Sequence, residues 1–140
     1  MKKGFTLVEL LVVVAIIGLL VSISIGATRN YREKARDARI KAVLGQVRSV
    51  ASMIYDKNYS YEGLCSGGTL NSSEYPKTLA IIAQDVREIN GGENVVCSAT
   101  QEQYCVSSRL TYGSNKKYCV DFTGYTGEDL PLCDSAMCQP

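Results

Sequence analysis

Glu9 is the only charged residue between Lys3 and Arg29, inside an otherwise apolar run. An ionisable group in a membrane-spanning stretch is costly and marks a function that offsets the cost, so Glu9 calls for a cationic partner. The second chemistry-bearing set is six cysteines, Cys65, Cys97, Cys105, Cys119, Cys133 and Cys138, in a chain with no histidine. Six cysteines in a short chain headed by a membrane signal imply disulfides, because a reducing cytosol would leave them as thiols. Zinc is disfavoured: there is no Cys-x-x-Cys pair, and the closest two are Cys133 and Cys138. A third set, Asp121, Thr123, Tyr125 and Asp129, alternates as in a calcium loop, but the glycines are misplaced and Leu132 stands where a bidentate Glu is needed. That stretch reads as a turn. Without histidine, and with the cysteines oxidised, neither a nucleophilic triad nor a histidine acid–base site can be assembled. The residues point to no enzyme, no metal and no cofactor.

These groups need elements to position them. Residues 5–25 form an apolar run of about 20 residues, enough as a helix to span a hydrocarbon core of about 30 Å once. A cleaved secretory signal would also start with Lys2-Lys3 and could end near Ser24-Ile25-Gly26, but such cores run only about 7–15 residues. Past the run, Ile40, Val43, Val47, Val50 and Ile54 recur at steps of three and four, which predicts one long helix from near Phe5 to about Tyr55. Six basic and two acidic residues between Arg29 and Lys41 read as a solvated helix face, with Arg29–Glu33 and Asp37–Lys41 at pairing distance. Lipid headgroups, acidic patches on neighbouring subunits and DNA are the other readings of that cluster.

The residues Lys3-Gly4-Phe5-Thr6-Leu7-Val8-Glu9-Leu10-Leu11 resemble the class III signal of the type IV pilin and pseudopilin family. The resemblance covers about the first 30 residues. It implies cleavage by a prepilin peptidase between Gly4 and Phe5, N-methylation of Phe5, and pairing of Glu9 with the Phe5 amine of a neighbouring subunit. It further implies a helical homopolymer, a pilus assembly platform with its ATPase motor, a single-pass precursor in the cytoplasmic membrane and an extracellular filament. Many type IV pilins carry a proline where Gly26 stands, and its absence here leans towards a pseudopilin of a secretion or competence system. The reading from another class is a membrane-anchored or secreted disulfide-rich binding module. The expected organisation is a leader at 1–4, a membrane or filament-core half-helix at 5–28, an amphipathic half-helix at 29–56 and a head at 57–140.

The expected fold class is α+β, pilin-like, with the long N-terminal helix on a small antiparallel sheet. Residues 63–73 read as loop around Gly67-Gly68, and Pro76 starts a helix in which Leu79, Ile82 and Val86 share a face and which ends near Asn90-Gly91-Gly92. Strands are expected at 95–98, 104–111 and 117–123, the last two as a hairpin. Alternation places Tyr104, Val106 and Leu110 with Tyr118, Val120 and Phe122 towards the helix, and Cys105 with Cys119 on the opposite face. That shared face suggests a Cys105–Cys119 bridge, leaving Cys133–Cys138 to close the C-terminal loop and Cys65–Cys97 to pin the loop after the helix. Fifteen connectivities are possible, and the C-terminal staple common in the resembled family makes Cys119–Cys133 the main rival.

Overall fold

The computed structural model describes residues 4–71, 73–113, 115–128, 133 and 136–138, apart from the side chains of residues 24–27. The chain divides into two compact units, residues 1–33 and 34–140. Its elements are α1 (Leu7–Asn58), a single 3-10 turn (Glu62–Leu64), β1 (Cys65–Ser66), β2 (Thr69–Leu70), α2 (Pro76–Ile89), β3 (Val96–Ala99), β4 (Tyr104–Arg109), β5 (Lys117–Asp121) and β6 (Thr126–Glu128). This is the α+β class read from the sequence. Both Gly18 and Gly26 lie within the bounds of α1, which runs three residues beyond the expected end.

In the second unit the strands form one antiparallel sheet in chain order, β1-β2-β3-β4-β5-β6. The helical stripe is its main apolar partner: Ile40, Leu44, Val47 and Ile54 are fully buried, in one cluster with Leu79 and Val86 of α2 and Val106 and Val120 of the sheet. Val106 lies directly opposite Val120, so the alternating faces of β4 and β5 fall as their sequence pattern requires. Pro76 supplies a preset first turn for α2, and Gly91 at φ 91° ends it, with Gly92 N–H donating to Arg87 O at 2.8 Å.

Three short strands, β1, β2 and β6, lie where loop or turn was expected. Gly67 and Gly68 have φ of 61° and 76°, and a two-residue hairpin turn with both central residues at positive φ joins strands of matching twist. They close β1 on β2, with Cys65 opposite Leu70. Residues 121–128 make a turn that returns as β6, and Asp129 lies outside the described residues. There the Asp121 carboxylate accepts from Thr123 N–H (3.0 Å), Thr123 Oγ1 (2.6 Å), Tyr125 N–H (3.2 Å) and Cys138 N–H (3.2 Å), so it is engaged in backbone support.

Asp37 differs from its expected role. It is 6% exposed, and its carboxylate accepts from Thr111 N–H (2.6 Å), Thr111 Oγ1 (2.7 Å) and Tyr112 N–H (3.0 Å), while Lys41 pairs with Glu128. The Asp37–Lys41 pair is therefore corrected: turn N–H groups beside a packed helix need an acceptor, and a buried charge is held better by three donors than by one solvated lysine. Asp37→Ala should destabilise the head by about 2–4 kcal/mol, because it leaves those donors unanswered. Urea unfolding followed by tyrosine fluorescence measures it. A change within about 0.5 kcal/mol would show that water replaces the carboxylate fully.

The aromatic end of the core makes a pH prediction. Tyr104 is 2% exposed, with Tyr61 at 4.9 Å between ring centroids, and burial raises its phenol above the ordinary value of 10.0. Folding favours the neutral phenol, so this contribution is complete below pH 10 and is lost as pH rises through the tyrosine range. Stability should fall above about pH 10, and Tyr104→Phe should flatten that fall.

Candidate assembly site

Thr6 and Glu9 form a closed pair at the start of α1. Thr6 N–H and Thr6 Oγ1 donate to Glu9 Oε2 at 2.9 and 2.7 Å, and Glu9 N–H donates to Thr6 Oγ1 at 3.3 Å. This is a capping box: Thr6 answers an N–H that the helix cannot satisfy internally, and Glu9 reaches back to answer the N–H of Thr6. Thr6 was not singled out from the sequence, although Thr-x-x-Glu ahead of an apolar run is its signature. The box fixes the Glu9 carboxylate beside the backbone N–H of Thr6.

The rest of this segment offers apolar surface on every side. From Phe5 to Ile23 the large hydrophobic side chains are 47–77% exposed. A helix that is apolar all round requires lipid or other protein around it. With residues 24–27 set aside, no single helix among the described residues is long and apolar enough to cross a membrane; Leu7–Ile23 and Thr28–Asn58 meet the test of length and composition together. Arg29 and Glu33 pair at 3.3 Å, as their i,i+4 spacing anticipates.

Four of the cysteines, Cys105, Cys119, Cys133 and Cys138, build a second site on the opposite sheet face from α1, while Cys65 and Cys97 lie with the main core. Cys65 bridges to Cys97, Cys105 to Cys133 and Cys119 to Cys138. Cys105 and Cys119 do share a face, but Cys105 is opposite Asp121 and Cys119 is opposite Ser107, so the two are diagonal neighbours. The Cys105–Cys119 and Cys133–Cys138 pairings are therefore corrected. Cys133 N–H donates to Ser107 Oγ and Cys138 N–H to Asp121 Oδ2, both at 3.2 Å, which lays the C-terminal cysteines over β4 and β5, one above each strand cysteine. The ligand atoms of Cys105, Cys119 and Cys138 lie within 4.8 Å of one another, a spacing that would suit a metal, but each sulfur is spent in a bridge.

Residues 1–25 match the family profile described as the prokaryotic N-terminal methylation motif. The N-terminal segment thus carries the prokaryotic N-terminal methylation motif, in line with its resemblance to type IV prepilins. Among curated proteins, the type IV major fimbrial protein FimA of Dichelobacter nodosus is 45% identical over 49 residues, 35% of this chain and 31% of that protein. The type IV major pilin protein PilE of Neisseria gonorrhoeae is 29% identical over 111 residues, 79% of this chain and 62% of that protein. A fimbrial protein of Neisseria meningitidis serogroup B is 26% identical over 124 residues, 85% of this chain and 73% of that protein. The chain thus spans about a third of the length of the FimA relative at 45% identity, and more of the two Neisseria proteins at lower identity. No solved structure gives a significant match.

Proposed function

We propose that the chain is the structural subunit of a type IV pilus filament. The observation that carries this reading is one carboxylate, Glu9, held by Thr6 at the head of an exposed apolar helix, inside a recognised N-terminal methylation motif. In this reading prepilin peptidase cuts between Gly4 and Phe5 and methylates the Phe5 amine. The precursor sits in the cytoplasmic membrane through its first helix. An assembly platform and its ATPase motor then transfer it into a filament in which Glu9 neutralises the Phe5 amine of the next subunit, both charges leaving water together. The head faces outward, held by its bridges in an oxidising environment. Adhesion, motility and DNA uptake are the uses this architecture serves, and no catalytic role is assigned to it.

A pseudopilin of a type II secretion or competence system is the second reading, favoured by Gly26 in the place where many pilins have proline. The N-terminal sequence and intact mass of the protein from membranes and from shed fibres, with and without reduction, test the proposal. A chain beginning at methylated Phe5 that gains six hydrogens on reduction, two per bridge, is expected. A start at Met1 or near Ala27 would overturn it and leave an anchored or secreted module. Recovery of the Phe5 form from membranes but never from surface fibres would favour the pseudopilin.

A further inference from the structure

We propose that Cys105, Cys119, Cys133 and Cys138 form one exchanging sulfur tetrad, whose two bridges interconvert inside the folded head between two pairings. This inference is independent of the pilus reading, since it concerns only the sheet and the segment laid over it.

The distances carry it. Across the two bridges, Cys105 Sγ is 3.2 Å from Cys119 Sγ and 3.8 Å from Cys138 Sγ, and Cys119 Sγ is 3.7 Å from Cys133 Sγ. All four residues are at most 7% exposed and pack as a cluster of their own. The alternative pairs Cys105–Cys138 and Cys119–Cys133 are therefore in sulfur contact already. The backbone anchors of the C-terminal segment, Cys133 N–H on Ser107 Oγ and Cys138 N–H on Asp121 Oδ2, involve no sulfur and hold under either pairing. Sequence separations of 28 and 19 become 33 and 14, so chain entropy hardly distinguishes the two. Cys65–Cys97 lies in the main core cluster and takes no part.

The exchange balances with a small thiol as catalyst. Its thiolate attacks Cys138 Sγ, breaking the Cys119–Cys138 bond and freeing the Cys119 thiolate. Cys119 attacks Cys133 Sγ; the Cys119–Cys133 bond forms and Cys105 leaves as thiolate. Cys105 then attacks Cys138 Sγ, forming Cys105–Cys138 and expelling the small thiolate. Two bridges are exchanged, nothing is oxidised or reduced overall, and the C-terminal segment stays on the sheet. The head can thus correct a misformed staple after folding.

The test incubates the full-length protein in detergent with a glutathione redox buffer at about pH 8, near the thiol range where exchange is fast. Acid quenching, alkylation and peptide mapping follow. Cleavage at Glu102 separates Cys97 from Cys105, cleavage at Arg109, Lys116 and Lys117 separates Cys105 from Cys119, and cleavage at Asp121, Asp129 and Asp134 places Cys119, Cys133 and Cys138 on different peptides. Both pairings should appear within about tenfold of each other in abundance, at a rate independent of protein concentration, while Cys65–Cys97 stays single. Recovery of Cys105–Cys133 and Cys119–Cys138 alone would overturn the proposal, whether the bridges opened and reclosed unchanged or never opened. In Cys138→Ser the one remaining bridge should divide between Cys105–Cys133 and Cys119–Cys133; confinement to Cys105–Cys133, or closure as Cys105–Cys119, would likewise overturn it.

Discussion

Glu9→Ala is expected to reduce surface filaments by about 100-fold or more while leaving the precursor in the membrane, because assembly would then bury an unneutralised Phe5 amine. The structure adds a second role that the same substitution would also remove, the capping box with Thr6. Glu9→Gln separates the two. A glutamine oxygen still accepts from Thr6, so the cap survives, whereas the charge that would neutralise an amine is gone. If pairing with the amine is the dominant role, Gln and Ala should be equally defective. If capping is the dominant role, Gln should restore filaments and Thr6→Ala should mimic Glu9→Ala. The readout is the ratio of sheared filament protein to membrane-inserted precursor, which a general insertion defect would shift through its second member. Filaments at normal levels in both Glu9 variants would sink the charge-pair mechanism.

What the sequence made legible follows from the range of each interaction. The stripe from Ile40 to Ile54 was readable because a helix buries one face at a fixed period, and the observed core has those residues within it. The β4–β5 register was readable for the same reason with a period of two, since Val106 and Val120 had one buried face to share. Asp37 was not, because its true partners, Thr111 and Tyr112, are 74 and 75 residues away while Lys41 offered a local alternative at i+4. β1 and β2, two residues each, are too short for alternation to register, although the Gly67-Gly68 pair marked their turn. Cysteine pairing stayed open for a physical cause: four sulfurs converge on one face, so proximity to a strand neighbour does not single out a bridge. Glu9 was legible as an anomaly but its partner was only half legible. The cost of a carboxylate in an apolar run pointed outward to another subunit, whereas Thr6, three residues earlier, already engages it.

Removing the Cys65–Cys97 bridge should have the largest effect on the head's stability. The bridge closes a separation of 32 residues and joins β1, at the sheet edge, to β3 within the main core. Loop-closure entropy puts its contribution at about 3–4 kcal/mol, and a small domain has only about 5–15 kcal/mol in all. The double variant Cys65→Ser/Cys97→Ser should therefore unfold at markedly lower urea and with a somewhat steeper slope, since the unfolded chain without the bridge exposes more surface. The two C-terminal bridges would remain and keep β4 and β5 fastened to Cys133 and Cys138. The loss should concentrate at the β1–β2 hairpin, which has two residues in each strand and meets β3 in a single register pair, Thr69 with Val96. Amide exchange should accordingly quicken first at Leu70 and Asn71, while Val106 and Val120 keep their protection. Uniform loss across the sheet would show that the hairpin and the β4–β5 core unfold as one cooperative unit, and that the bridge acts on the unfolded chain alone.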